Sequence, residues 1–224
     1  MIKPPPICQI LDETAEAAVL QKASDLLLQG GVIVCATDTG YLLGVNGLNP
    51  EAIQKVYQIK GRAFNKPLHL VIADLAMANT LAEIDDRAER LIRRFLPGPL
   101  TLILKKKPLV PASLVSGLDN VGLRIPDNTF LLRLAKTAGV PITATSANRS
   151  GFATPYTVAQ VLHELGEAVQ SVDLIIDQGE TRHGSPSTIL DLTQNSLRIL
   201  REGPITSEML QTALKIRDTQ SAAL

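Results

Sequence analysis

Short apolar runs, each followed by a turn or a polar cluster, are the feature that most constrains this chain. They occupy 32–36, 68–73, 100–104, 121–125, 141–145, 172–176, 187–192 and 197–200. Each is too short for a buried helix and has the length of a buried strand. Between them lie stretches with helical spacing: 13–29, 50–59, 85–96, 129–138 and 157–165, with a last one at 207–216. Gly30-Gly31 stops the first, Pro50 starts the second, and Asp85 opens the third, which closes before Pro97-Gly98-Pro99. Strands and helices interleave without a repeat period. The expected fold is therefore α/β (α+β), a mixed sheet flanked by helices around one core. The last strands follow one another without helices, so part of the sheet should be antiparallel.

Composition excludes several classes. Of 224 residues, 45% are hydrophobic, enough for a real core. Lys+Arg and Asp+Glu number 22 each, so no global charge demands nucleic acid or an anionic membrane; a local basic patch stays open. Aromatics make up 3% with no Trp, too few for a single-strand binder built on stacked bases. Cys8 and Cys35 have neither metal spacing nor a disulfide framework, and Cys35 sits inside an apolar run as a core residue would. No apolar stretch approaches the roughly 20 residues of a membrane span. The opening MIKPPPICQI lacks the long apolar core of a signal peptide. The expected compartment is the cytosol, with no membrane partner. Pro4-Pro5-Pro6 makes 1–12 an extended lead-in. One domain is expected over 13–205, then a helix and polar tail over 206–224.

Familiar site motifs are absent. There is no Walker-type phosphate loop, no Gly-x-Gly-x-x-Gly and no Gly-x-Ser-x-Gly elbow. His69, His163 and His183 have no partner at ligand spacing, so no metal site is expected. What remains is polar residues gathered after strands: Thr37–Tyr41, Arg124–Asp127 and Ser146–Ser150. Strand ends at one sheet edge are where α/β proteins collect binding groups, and hydroxyls, an amide and a guanidinium there suit a small anion. Lys60-Gly61-Arg62 adds two cations on a turn that could hold triphosphate oxygens. Each cluster has a plain structural alternative: a solvated helix C-terminus for Lys60 and Arg62, and capping turns for Thr37–Thr39 and Ser146–Asn148. Lys105-Lys106-Lys107 reads as a solvated strand end, with an RNA-backbone contact as the other reading.

Seven segments, in order, change this balance. They are Thr37-Asp38-Thr39-Gly40-Tyr41-Leu42-Leu43-Gly44, Lys60-Gly61-Arg62, Pro97-Gly98-Pro99-Leu100-Thr101, Val121-Gly122-Leu123-Arg124-Ile125-Pro126, Ser146-Ala147-Asn148-Arg149-Ser150-Gly151, Pro186-Ser187-Thr188-Ile189-Leu190-Asp191 and Leu200-Arg201-Glu202-Gly203. Together they resemble the YrdC-like family over residues 25–205. Its members build threonylcarbamoyl-AMP from threonine, bicarbonate and ATP for tRNA modification. No single segment is specific; the ordered set is. The chain resembles the short, single-domain type.

The resemblance implies a twisted fold around a large concave cavity. Inside it, Lys60, Arg62, Ser146 and Asn148 would form the family's catalytic tetrad. Lys60, Arg62, Asn148 and Arg201 would face ATP, which brings Mg2+. Thr39, Arg124, Ser146 and Ser187 would face threonine, with Arg124 on its carboxylate. Bicarbonate is the third substrate, and a tRNA threonylcarbamoyl-transferase machinery would act downstream. The family also includes non-catalytic members read as binding tRNA or double-stranded RNA through the concave face; the retained tetrad favours catalysis. Relatives in hydrogenase maturation proteins carry the fold in longer chains with zinc-finger cysteines, which this sequence lacks. The sequence departs from the family at Ala36, where Pro is usual, and at Gly40 and Leu42, which replace Val and Gly. Val71 stands where a His is common. His69 lies two residues earlier, on the same face of a strand, and is available in its place.

Overall fold

The computed structural model describes residues 5–10, 12–181, 185–194 and 196–215. Pro4, His183 and the tail from Ile216 lie outside them. Among the described residues ten strands form one sheet: β1 (Ile7–Gln9), β2 (Ile33–Thr37), β3 (Gly40–Gly44), β4 (His69–Val71), β5 (Leu100–Lys105), β6 (Asn120–Arg124), β7 (Ile142–Ser146), β8 (Leu174–Asp177), β9 (Thr188–Asp191) and β10 (Arg198–Arg201). Their order is β1-β8-β2-β3-β7-β4-β6-β5-β9-β10. The helices are α1 (Glu13–Leu28), α2 (Pro50–Lys60), α3 (Leu75–Leu81), α4 (Asp86–Phe95), α5 (Thr129–Ala138), α6 (Val158–Leu165) and α7 (Ser207–Lys215).

The fold class is the one the sequence implies. β2 is apolar from Ile33 to Ala36 because both its faces are covered. Val34 and Ala36 join a core with α2 and α6, while Ile33 and Cys35 join a second core under α1 and α5. Burial pushes the Cys35 thiol up to about 12, so it stays a neutral core group. Side chains cap the helices: Asp12, Asn49, Asp74, Asp85, Asn128 and Thr157 each accept from first-turn backbone N–H groups. Among the described residues, no helix is long and apolar enough to cross a membrane.

Three elements go beyond the sequence reading. The lead-in supplies β1, which pairs in parallel with β8. Thr37–Tyr41 is the tip of a hairpin, not a loop, because Gly40–Gly44 returns antiparallel along β2. Residues 75–81 form α3, capped by Asp74.

Strand direction decides how the site is built. Taking β2 as running up, the pairings send β1, β8, β7, β5 and β9 up, and β3, β4, β6 and β10 down. The polar clusters therefore do not share one sheet edge. Thr37–Gly40 and Ser146 lie at the upper end of one half. Arg124, Ser187 and Arg201 lie at the lower end of the other. A coiled sheet brings the two ends together across its concave face. The seam is the antiparallel β4–β7 pairing, His69 to Ala144 through Val71 to Ile142.

Candidate functional site

The concave face carries an open cleft, with about 840 Å3 of empty space when counted out to solvent at its mouth. Thr39, Arg62, Arg124, Ser146, Ser187 and Arg201 all line it. Lys60 and Asn148 do not; they lie behind its wall.

The hairpin tip forms one side. Thr37 Oγ1 donates to the carbonyl of Gly40 at 2.8 Å and accepts from the Thr39 N–H at 3.0 Å, which fixes the turn. Gly40 has φ +136°, and a Cβ there would stand 2.7 Å from Thr154 Cγ2 and 3.1 Å from the Pro155 carbonyl. The 154–155 segment packs directly on this glycine, and Tyr41 N–H bonds the Pro155 carbonyl at 2.9 Å. This is the physical sense of the altered first motif: glycine stands where the neighbouring loop presses on the turn.

Arg124 crosses from the other half. Its guanidinium donates to Thr39 Oγ1 at 2.6 Å, to the Gly98 carbonyl at 3.2 Å and to Asp38 Oδ1. The Arg124–Asp38 pair is almost wholly buried, and Asp38 Oδ2 has no hydrogen-bond partner. Burial pulls the Arg124 pKa down, Asp38 opposes that, and Arg201 adds to it. An arginine stays cationic through such shifts. Three of its five N–H donors are used, leaving two for a ligand.

Ser187 is held from two sides. Its hydroxyl lies 2.9 Å from Thr101 Oγ1, and Arg201 donates to its carbonyl at 2.9 Å and its hydroxyl at 3.2 Å. Arg62 donates to the carbonyls of Lys66 and Pro67 at 3.1 and 3.0 Å, which turns its guanidinium along the rim. Burial lowers the pKa of both Arg62 and Arg201.

His69 faces the cleft as well. Its ring lies over Gly122, its register partner, where a Cβ would come within 2.5 Å of the imidazole. Glycine at 122 therefore leaves the imidazole the space it occupies. Burial, then Arg201, Arg62 and Arg124, pull the His69 pKa down to about 4. The imidazole is neutral at pH 7.

Three of the four expected tetrad residues, Lys60, Ser146 and Asn148, form one hydrogen-bonded network, while Arg62 stands apart on the Lys66 and Pro67 carbonyls. Lys60 donates to the carbonyl of Ser146, the carbonyl of Asn148 at 2.6 Å and Asn148 Oδ1 at 3.0 Å. Lys60 is 2% exposed, so the reading of a solvated helix end fails for it. It shares the inward face of α2 with Ile53, Val56 and Tyr57, all buried. Burial, then Arg62, pulls its pKa down, and the three oxygens around Nζ oppose this by favouring the ammonium form.

Sequence reasoning does not single out Asp38 or Thr101. Both sit inside the seven ordered segments, and each is buried on a group that lines the cleft. Among the described residues the lining carries Arg62, Arg124 and Arg201 and no carboxylate. It can hold an anion at the guanidiniums and hydrogen-bond a small polar molecule at the threonines and serines.

Known proteins resemble this chain in sequence and fold. A family model covering Sua5, YciO and YrdC, described as "Telomere recombination", matches residues 25–203. A Methanocaldococcus jannaschii protein, provisionally assigned as a threonylcarbamoyl-AMP synthase, is 40% identical over 200 residues, 89% of this chain and 93% of that one. The Pyrococcus abyssi threonylcarbamoyl-AMP synthase is 36% identical over 203 residues, 90% of this chain and 59% of that one. The crystal structure of P. abyssi Sua5 complexed with L-threonine superposes with a TM-score of 0.87 at 34% identity, covering 95% of this chain and 61% of that one. This chain thus spans about three fifths of the P. abyssi protein.

Proposed function

The chain belongs to the Sua5/YciO/YrdC family, and from that premise we propose that it is an L-threonylcarbamoyladenylate synthase, a nucleotidyltransferase that uses threonine, bicarbonate and ATP. The observation that carries the reading is the cleft itself. Three guanidiniums and a set of hydroxyls from distant parts of the chain meet there, and among the described residues the lining has no opposing carboxylate.

The chemistry asks for positioning rather than a protein nucleophile. The neutral threonine amine adds to the carbon of bicarbonate and water leaves, giving N-carboxythreonine. A carboxylate oxygen of that species attacks the α-phosphorus of ATP. The bond to the bridging oxygen breaks and pyrophosphate departs. Arg62 and Arg201 would stabilise the charge of the phosphates, and the two spare donors of Arg124 would hold the threonine carboxylate beside Thr39 and Ser187. Mg2+ would arrive on the phosphate oxygens, as it does where substrate supplies most of its ligands. The product would pass to a transferase that modifies tRNA.

The test is pyrophosphate release by the purified protein. It should need threonine, bicarbonate and ATP together, and Arg62→Ala should lower kcat/KM at least about 100-fold. Tight tRNA binding with no pyrophosphate release under any combination would replace this reading with the non-catalytic one.

A further inference from the structure

Two members of the tetrad never reach the cleft, and their hydrogen bonds say what they do instead. An ammonium group has three donors and no acceptor. Lys60 commits all three, to the Ser146 carbonyl, the Asn148 carbonyl and Asn148 Oδ1. Its own carbonyl accepts from the Ser150 N–H at 2.8 Å. The end of α2 is thus tied to the turn after β7 by side chain and backbone together. No donor is left for a phosphate.

The network also sets polarity. Only an oxygen can accept from an ammonium, so Lys60 dictates which end of the Asn148 amide faces it. The other end, Nδ2, donates to the Phe152 carbonyl at 2.5 Å. With the amide so oriented, Ser146 Oγ must be the donor in its 2.5 Å contact with Asn148 Oδ1. Its proton is spent inward, and only lone pairs are turned to the cleft. A ligand group meeting Ser146 must therefore be an N–H or O–H donor, not a phosphate oxygen.

We infer that Lys60 is a positioning residue that acts through Asn148 to make Ser146 a hydrogen-bond acceptor for the ammonium or hydroxyl of the amino-acid substrate, and that it does not touch the nucleotide. The identity of that substrate rests on the function proposed above; the polarity argument does not.

Calorimetric binding of threonine and of a non-hydrolysable ATP analogue separates the alternatives. Lys60→Met should weaken threonine at least about tenfold, by loss of a buried polar contact, and the ATP analogue less than about threefold. Arg62→Ala should weaken the analogue more than Lys60→Met does. Equal loss of analogue affinity in the two variants overturns the inference. Asn148→Asp retains an acceptor for both Lys60 and Ser146 but gives up the donor to the Phe152 carbonyl, so it should weaken threonine by less than Asn148→Ala does. Equal weakening by both substitutions also overturns it, and this pair carries the test if Lys60→Met fails to fold. Should the parent bind no threonine, the proposed function fails. The tie between α2 and the turn after β7 is then read by amide exchange at Ser150, whose N–H bonds the Lys60 carbonyl; it should quicken more in Asn148→Ala than in Asn148→Asp, and equal exchange in the two sinks it.

Discussion

At the scale of single residues, buried charge and unshared hydrogen-bonding capacity govern what substitutions do. Arg124 and Asp38 pair out of water, and removing one leaves the other uncompensated. Arg124→Met should cost about 3–5 kcal/mol in urea unfolding. Arg124→Met with Asp38→Asn should recover part of that, since no bare charge remains buried. Threonine binding should weaken more than ATP binding in any Arg124 variant that still folds. His69 gives a pH effect with a definite sign. Its folded pKa of about 4 lies below the ordinary 6.5. Between those values the unfolded chain takes up a proton that the native chain refuses. Its contribution is complete above pH 6.5 and is lost as pH falls toward 4. Allowing for the ring's partial exposure, roughly 1–2 kcal/mol should go between pH 7 and 4.5. His69→Gln should remove that part of the acid sensitivity; identical urea midpoints against pH for parent and variant would refute the assignment. Lys60 was legible in part. Ile53, Val56, Tyr57 and Lys60 recur at helical spacing, and that periodicity by itself puts the lysine on the inward face of its helix.

Among the elements, the β2–β3 hairpin is where local sequence and tertiary packing meet. Gly40→Ala puts a methyl into Thr154 and the Pro155 carbonyl and asks an L-residue to adopt φ +136°. It should cost at least about 2 kcal/mol and raise the threonine KM by displacing Thr39. A variant with parental stability and parental KM would show that the 154–155 segment yields freely. Most elements were readable from periodicity because their neighbours reinforce it: α5 falls on the residues expected, and β2, β5 and β6 within one residue at each end. β3 was not, because Gly40 and Gly44 flank a short run whose strand character comes from pairing with β2 and β7 rather than from its own composition. β1 was hidden behind prolines for the same reason. Its partner β8 lies more than 160 residues away.

For the whole molecule, the membership of the site was more legible than its geometry. The ordered motifs named most of the residues that line the cleft. They could not say that half of these arrive from the lower end of one half-sheet and half from the upper end of the other. Strand direction is a property of long-range pairing, and no local signal in β6 or β7 records it. That arrangement has a mechanical side. The two halves meet at a seam of only three paired residues on β4 and β7. Above that seam the halves are joined again by Arg124 on Thr39 and Asp38. A molecule seated between the seam and that second tie works as a staple, trading its own freedom for the stiffness of the joint beneath it.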